Sequence, residues 1–337
     1  MAAFTIRIDS SPPPEWDAAI GAAHCQSLRL FQTSVYANLQ SEFRACVPFY
    51  FTVSRPGTLH HGVLRLVVFK GRSELPVGVS FFRSAKTILK RALHLKVNSL
   101  FWWGQPISTG EVDSEAYVQL AGAIDRMARD HCASIAFGQW PLVAGCDLPR
   151  SWSAVEWATL KVDLNPDLDQ IWRTLKPSAR KSVKRGQCMG ITVERISTPA
   201  DLRSYYSFAK CCSRRYGTND LLFEAFEIPW RCLRPTGIFE TFLACYQNAP
   251  IAGLSVWGYG DQVMEIGSYQ SQEGYQRKLQ GPDLIKWEII KWAKEQGVLE
   301  YDLAGVNPIA VTHKDRGIRQ FKEKWGGRAM TYLMVHS

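Results

Sequence analysis

The residues best suited to chemistry lie near the C-terminal end of the sequence. The block Tyr301–Pro308 predicts a strand that runs into a Gly/Asn/Pro turn, and the block Gly317–Gly327 predicts a basic amphipathic helical segment that ends at a glycine pair. The second block contains the dipeptide Phe321-Lys322. A lysine and an aromatic ring held side by side at the edge of a sheet suit a negative charge that develops next to a flat ring.

The excess positive charge is concentrated in two other segments. The net charge is +9, from 40 Lys and Arg against 31 Asp and Glu. Between Trp172 and Arg185 there is no acidic residue and there are six basic ones: Arg173, Lys176, Arg180, Lys181, Lys184 and Arg185. The stretch between Glu74 and Glu111 is also basic and lacks carboxylates. This distribution favours an anionic partner such as a nucleic acid, a nucleotide or a phospholipid.

Several classes of protein do not fit the sequence. The nine cysteines include no Cys-x-x-Cys pair and the histidines show no His-x-x-x-His spacing, so we expect reduced thiols, no bound metal and no cofactor. No Ser/His/Asp arrangement is evident. No apolar run reaches the roughly 20 residues that span a membrane, and the N-terminal residues do not resemble an export signal. We therefore expect a cytoplasmic protein.

The pattern of elements predicts two domains of a mixed α/β (α+β) class, 1–150 and 151–337, with a boundary in Asp147–Glu156. In the first, strands are predicted at Val47–Val53, Val63–Phe69, Val77–Phe82 and Ser134–Gly138, and a helix at Ser114–Asp130. In the second, Leu160–Leu164 predicts a strand, Asn165-Pro166 a helix start, and Pro177 the start of the basic helix.

The last third of the sequence has the clearest pattern. Pro250–Gly258 and Gln262–Ser268 predict a hairpin, followed by a helix from Gly281 to Gly297 and a strand at 299–304. Hairpin, helix and strand in this order form the second half of an acetyltransferase-like (GNAT) unit. The first 150 residues could hold a degenerate copy, which gives two tandem GNAT-like domains. No heptad run predicts a coiled-coil arm.

Four blocks resemble the Fem-type aminoacyltransferases, the tRNA-dependent peptidyltransferases of peptidoglycan cross-bridge synthesis. These are Leu168–Val193, Cys212–Gly217, Ala249–Gly253 with the following Trp287-Glu288 and Gly297, and the closing block from Tyr301 to Gly327. Phe31–Ser34 and Trp102–Pro106 are looser matches. The resemblance is strongest over residues 158–333. It implies two tandem GNAT-like domains, a reaction at or near the cleft between them, and transfer of an amino acid from aminoacyl-tRNA to an amine acceptor.

The resemblance also implies roles for individual residues. Lys322 would act as the catalytic cation, at the oxyanion and phosphate end of the donor, and Phe321 would stack on the terminal adenine of the tRNA. The simpler alternative is that Lys322 caps a helix and Phe321 belongs to the core. The basic helix would contact acceptor-stem phosphates through Arg180, Lys181, Lys184 and Arg185, unless it is only a solvated face.

The acceptor side of the resemblance is incomplete. Arg215 matches an arginine that holds the pyrophosphate of a UDP-muramoyl peptide in some members of the family, although a structural ion pair explains it equally well. The second pyrophosphate ligand of those members is a lysine, and Gln40 stands at its place here. The acceptor could therefore differ from that nucleotide precursor. It is expected to be an amine-bearing cell-wall precursor, nucleotide-linked or lipid-linked, or a peptide-like metabolite.

Two alternatives to a tRNA-dependent enzyme remain open. The first is an acyl-CoA-dependent N-acyltransferase. The turn Gln276–Gly281 argues against it, because Leu279 stands where a pyrophosphate-binding turn has a glycine. The side chain of Leu279 is expected to obstruct the approach of the pyrophosphate to the backbone. The second is a non-catalytic RNA- or membrane-binding scaffold. Lys86–Leu93 predicts a basic amphipathic helix that could contact an anionic membrane or pack on its own domain. The protein is expected to be a monomer.

Overall fold

The computed structural model describes residues 3–23, 25, 27–55, 62–73, 96–215, 221–237 and 239–337, without the side chains of Ser73 and Arg215. The predicted strand at Val77–Phe82 and the predicted helix at Lys86–Leu93 lie outside these residues. The chain divides into two compact units: unit 1 is Met1–Trp157 with Thr331–Ser337, and unit 2 is Ala158–Met330. The chain crosses between them inside one strand, Ser153–Asp163, and returns inside another, Arg328–His336.

Strands and helices are numbered here in chain order. The strands are β1 Thr5–Asp9, β2 Val47–Ser54, β3 Val63–Ser73, β4 Val97–Phe101, β5 Ile107–Thr109, β6 Ile135–Trp140, β7 Ser153–Asp163, β8 Thr192–Arg195, β9 Phe239–Tyr246, β10 Ala249–Tyr259, β11 Gln262–Gln270, β12 Glu300–Val306 and β13 Arg328–His336. The α-helices are α1 Trp16–Ala22, α2 Ser34–Arg44, α3 Ser114–Asp130, α4 Leu168–Thr174, α5 Pro177–Cys188, α6 Pro199–Arg215, α7 Glu224–Leu233, α8 Gln272–Gln276, α9 Gly281–Glu295 and α10 His313–Glu323.

Unit 1 is a sheet with the strand order β1-β2-β3-β4-β6, and the last residues of β13 pair antiparallel with β6. Helix α3 has the predicted bounds because Asp113 caps its first turn and its apolar residues recur on one face. That face packs on the sheet, together with three tryptophans that contact one another: Trp102, Trp140 and Trp152. Local periodicity is therefore enough to define the helix that covers this core.

Unit 2 is a sheet with the order β7-β12-β11-β10-β9-β8. The hairpin β10–β11 and helix α9 confirm the predictions for the last third of the chain. Helices α5 and α9 pack on each other, and α9 contacts strands β9 and β10. A separate cluster around Tyr205 joins α6 and α7 through contacts such as that of Tyr205 with Phe226. The mixed α/β class is confirmed, and the longest helices in the described part of the chain have 17 residues, too short for a coiled-coil arm.

The start of α4 differs from the prediction. The cap is Asp167, which accepts the N–H of Gln170, while the Gln170 side chain accepts the N–H of Asp167. This reciprocal pair is a capping box, and it places the first turn three residues after Asn165. Asn165 instead bonds back to Asp163. Among the described residues, no helix has the length and apolar content needed to cross a membrane.

Gly138 provides a test of packing in unit 1. A Cβ at this position of β6 would overlap the indole ring of Trp102, which is fixed by a 2.8 Å bond from its Nε1 to the carbonyl of Gln139. We expect Gly138→Ala to destabilise the protein by about 1–3 kcal/mol through overpacking. Thermal unfolding should show a lower midpoint for this variant.

Gly122→Ala is the matched control. Gly122 lies in α3, and an added Cβ would meet nothing nearer than 3.5 Å, the terminal nitrogen of Arg126. Alanine is favoured over glycine inside a helix, so this variant should be as stable as the wild type or more stable, by up to about 1 kcal/mol. Equal midpoints for both variants would contradict the packing argument.

Candidate functional site

The candidate site lies where two parallel strands of unit 2 stop pairing. Strands β11 and β12 pair at three positions only, Gln262 with Glu300, Val263 with Tyr301, and Met264 with Asp302. Beyond these positions each strand continues without the other, and side chains from α9 and α10 meet those of the two strands. Six charged residues come together here: Glu265, Asp283, Lys286, Asp302, Lys322 and Lys324.

Glu265 on β11 is the acidic centre of this group. It is buried and forms an ion pair with Lys286 of α9, which is also buried. The hydroxyl of Tyr301 donates a 2.5 Å hydrogen bond to Glu265 Oε1. Burial first, and then the nearby charge of Glu265, raise the pKa of Tyr301 well above its ordinary value. Tyr301 therefore stays protonated and acts as a donor.

A second ion pair links α9 to the end of α10. Lys324 Nζ lies 2.5 Å from the carboxylate of Asp283, which is buried in the first turn of α9. Burial raises the pKa of Asp283, and the charge of Lys324 opposes that change. The ring of Phe321 lies near two cations: its centre is 4.3 Å from Lys324 Nζ and 5.4 Å from Lys286 Nζ. Both distances are in the range of a cation–π interaction.

Lys322 differs from the other two lysines in its partner. Its Nζ donates a 2.9 Å hydrogen bond to the carbonyl of Gly305, and no described carboxylate lies within 4.0 Å of it. Burial lowers the pKa of Lys322, although the charge of Glu265 raises it. An ammonium has three donors, so the bond to Gly305 leaves two for a ligand. The position is therefore suited to stabilising a negative charge.

The carbonyl of Gly305 belongs to a bulge in β12. Asp302 pairs with Lys161 of β7, but the next pair is Gly305 with Thr159, so two residues of β12 oppose one of β7. The buried carboxylate of Asp302 accepts hydrogen bonds from the Thr159 hydroxyl and from the N–H of Ala304, the latter at 2.7 Å. Burial raises the pKa of Asp302 to about 6, while the bond from Thr159 lowers it.

The basic helix α5 presents three of its four predicted residues to solvent. Lys181, Lys184 and Arg185 are exposed, whereas Ala179, Val183 and Gly186 are buried on the opposite face. Arg180 is directed differently: its Nη1 donates to the carbonyls at the end of α4, including those of Arg173 and Leu175 at 2.9 Å each. It thus satisfies a helix C-terminus, as basic side chains often do.

Helix α5 begins next to the end of α10. The N–H of Lys176 donates a 2.9 Å bond to the carbonyl of Lys324. From Lys176 to Arg185 the helix rises by about 14 Å at 1.5 Å per residue. The structure therefore brings Phe321 and Lys322 together and places them near the start of the basic helix, whereas Lys184 and Arg185 lie towards its other end.

The predicted acceptor residues give less information. Arg215 is the last residue of α6, and its side chain lies outside the described part of the chain. Gln40 lies on α2 in unit 1 and is buried, so its side chain does not face solvent as a pyrophosphate ligand would.

Sequence reasoning missed five members of the charged group: Glu265, Asp283, Lys286, Asp302 and Lys324. One signal was available, because Lys286 precedes the buried residues Ile289 and Ile290 by three and four positions and therefore falls inside an apolar helix stripe. A lysine at such a position needs a partner. Which residue supplies the carboxylate could be seen only in the folded chain.

The steric argument from Leu279 is wrong. Its side chain is buried in the core of unit 2, so it does not cover the outer surface of the turn. Another feature of the turn bears on phosphate binding. The N–H groups of Arg277, Lys278 and Leu279 donate to carbonyls of α8, and the carboxylate of Asp283 lies in the first turn of α9. These N–H donors are therefore already engaged by the protein itself, and the carboxylate near the N-terminal end of α9 disfavours a phosphate there.

Comparison with known proteins identifies the fold. No protein-family model and no curated protein matches the sequence. The chain is similar to the crystal structure of FemX, with a TM-score of 0.65 and 15% sequence identity over 97% of this chain and 96% of that one. A tandem GNAT protein from the clavulanic acid biosynthesis pathway gives 0.53 and 11% over 99% and 98%. L-PGS from Bacillus licheniformis gives 0.52 and 11% over 97% and 92%. The predicted Fem-like tandem GNAT fold is confirmed.

The buried carboxyl of Asp302 predicts a dependence of stability on pH. Its pKa of about 6 exceeds the ordinary 3.8, so the folded chain binds this proton more tightly than the unfolded chain. The resulting stabilisation is complete below the unfolded pKa and is lost as pH rises through the folded pKa. Relative to Asp302→Asn, the wild type should lose on the order of 3 kcal/mol between about pH 4 and pH 7.

Urea unfolding of both proteins across this pH range measures the difference. The comparison isolates Asp302 because all other titrating groups are common to both proteins. A difference in the free energy of unfolding that does not change with pH would show that this carboxyl titrates normally.

Proposed function

We propose that this protein is a Fem-like aminoacyltransferase that moves an amino acid from aminoacyl-tRNA onto an amine and forms an amide. The observation that carries the proposal is the partner of Lys322: in a group of three lysines, this one bonds to a carbonyl while the other two pair with buried carboxylates. Its charge is not neutralised by a described residue and is available to a ligand.

The chemistry requires orientation and one well-placed cation. The neutral amine attacks the ester carbonyl carbon, a C–N bond forms, and the carbonyl oxygen becomes an oxyanion. The bond from this carbon to the 3′ oxygen of the terminal adenosine then breaks, the 3′ oxygen takes up a proton and the amine loses one. Lys322 would stabilise the oxyanion, and Phe321 beside it would stack on the adenine. An ester is already activated, so no protein nucleophile is needed.

The exposed face of α5 suits the RNA part of such a donor. Lys181, Lys184 and Arg185 would contact phosphates of the acceptor stem with an affinity that is independent of sequence and falls with salt. Because Arg180 holds the end of α4, its proposed contribution would be to orient the helix as well as to add charge. The acceptor would be a cell-wall precursor or a peptide-like amine in the cytoplasm. Arg215 is a proposed contact of this acceptor.

Acyl-CoA is the second candidate donor. It is favoured by the burial of Leu279, which leaves the outside of the turn at Gln276–Gly281 unobstructed, and by the fold shared with a tandem GNAT protein. The engaged N–H groups of the turn and the carboxylate of Asp283 at the start of α9 weigh against a bound pyrophosphate. We therefore rank aminoacyl-tRNA first.

One assay separates the candidates. The protein is incubated with a lysine-containing UDP-muramoyl peptide, or with vesicles that contain phosphatidylglycerol, and with either total tRNA charged with mixed amino acids or acetyl-CoA. Each mixture is run with and without ribonuclease, and products are identified by mass. We expect an aminoacyl amide that is stable to mild alkali and is lost with ribonuclease.

The other outcomes have defined meanings. A product that forms from acetyl-CoA, with or without ribonuclease, would contradict aminoacyl-tRNA as the donor. An alkali-labile aminoacyl lipid would be an ester and would contradict an amine as the acceptor. Binding of tRNA without any product would favour the non-catalytic scaffold.

Replacing Lys322 tests its role in the reaction. We expect Lys322→Ala to lower kcat at least tenfold and up to about 10²–10³-fold, the usual effect of removing one group that stabilises an oxyanion. Lys291→Ala is the control, because it removes a partly exposed lysine that only pairs with Glu288 on the same helix. Both variants should keep the thermal midpoint of the wild type. Unchanged kcat in Lys322→Ala would remove Lys322 from the mechanism.

A further inference from the structure

The bulge in β12 holds a residue in a conformation that it does not prefer. Ala304 has a φ of 62°, in the left-handed region that favours glycine. A non-glycine residue held there is strained and needs support from its surroundings. In unit 2 that support comes from Asp302, whose Oδ1 accepts the N–H of Ala304 at 2.7 Å.

Asp302 is itself fixed in place. It is 6% exposed, and the hydroxyl of Thr159 on β7 donates to the same Oδ1 that accepts the N–H of Ala304. The carboxylate therefore ties Ala304, one of the two residues of the bulge, to the neighbouring strand. A single residue separates Asp302 from Ala304 in the chain, so this link (the tether) acts on the bulge itself.

The next residue carries the effect to the site. Gly305 follows Ala304 directly, and its carbonyl accepts the 2.9 Å hydrogen bond from Lys322 Nζ. Among the described residues, this carbonyl is the hydrogen-bond partner of the Lys322 ammonium. A lysine side chain has a flexible four-carbon stem, so the direction of its ammonium depends on such an anchor.

We propose that Asp302 is a positioning residue: through the strained Ala304 it aims the carbonyl of Gly305 at Lys322 and thereby fixes the ammonium that faces the donor ester. This inference rests on the proposed function of Lys322, but the tether itself can be tested without a substrate. Asp302 does not contact the reacting atoms in this account.

Two variants separate the tether from the charge of Asp302. Asp302→Asn and Asp302→Ala both remove the negative charge near Lys322. Only the asparagine keeps an oxygen that can accept the N–H of Ala304 and the hydroxyl of Thr159. Any difference between the two variants therefore reports the tether.

The kinetic experiment uses charged tRNA as the donor. We expect Asp302→Ala to lower kcat by about 10- to 100-fold with the KM for tRNA nearly unchanged, because the reacting geometry is lost while the RNA contacts remain. Asp302→Asn should restore most of the wild-type kcat. Glu240→Ala is the matched control: this half-buried carboxylate also accepts a strand N–H, that of Thr241 at 3.0 Å, on β9. It should leave kcat unchanged.

The second experiment requires no substrate. NMR titration of the Lys322 side chain measures its pKa in each variant. In Asp302→Ala the ammonium should be released towards water, so its pKa should be higher than in Asp302→Asn, which keeps it partly buried. A protein that transfers no amino acid would defeat the proposed function and still permit this measurement.

Three results would overturn the inference. The first is an equal Lys322 pKa in the two variants, and the second is an equal kcat in both. If Asp302→Ala does not fold, Thr159→Val takes its place, since it removes one of the two bonds to the carboxylate and keeps the charge. Relative to the wild type, it should lower kcat and raise the pKa of Lys322, because the ammonium is released towards water while the carboxyl of Asp302 remains. The third result that would overturn the inference is a Thr159→Val protein whose kcat and Lys322 pKa both equal those of the wild type.

Discussion

The candidate site depends on one buried charge, the carboxylate of Glu265. A carboxylate is stable away from water only when it is paired and hydrogen-bonded, and here Lys286 and Tyr301 fulfil both requirements. These partners come from β11, α9 and β12, so the ion pair also joins the three elements around the point where the parallel strands separate. Loss of either charge would leave the other uncompensated, at a cost of about 3–5 kcal/mol.

This arrangement explains how one lysine of the group can remain available. Lys286 and Lys324 each have a buried carboxylate partner, and both lie near the ring of Phe321. Lys322 is anchored by a neutral carbonyl and pairs with no described carboxylate. Lys322 lies between the buried ion pairs and the surface, so its ammonium is partly dehydrated and still has unused hydrogen-bond donors. These two properties together stabilise a developing anion.

The parts of the structure that follow from local patterns could be predicted from the sequence, and the parts that follow from side-chain direction or distant pairing could not. Helix α3 and the hairpin β10–β11 depend on periodicity and turn residues that lie close together in the chain. The partner of Lys286 is 21 positions away, and no spacing rule identifies it. The direction of Leu279 depends on the positive φ of Lys278 before it, a backbone choice that residue type does not indicate. The types and order of residues Phe321 and Lys322 were enough to identify them as a candidate pair. The hydrogen bond from Lys322 to the carbonyl of Gly305 could not be predicted, because it depends on the bulge in β12.

The course of the chain through unit 1 has a consequence for biosynthesis. Strand β6 receives its antiparallel neighbour from residues 333–336, which are synthesised after the whole of unit 2. While the ribosome is still making that region, β6 lacks this pairing and presents open backbone groups, an edge prone to unwanted association. Unit 1 therefore cannot complete its sheet until unit 2 has been synthesised, although most of its residues come first in the chain.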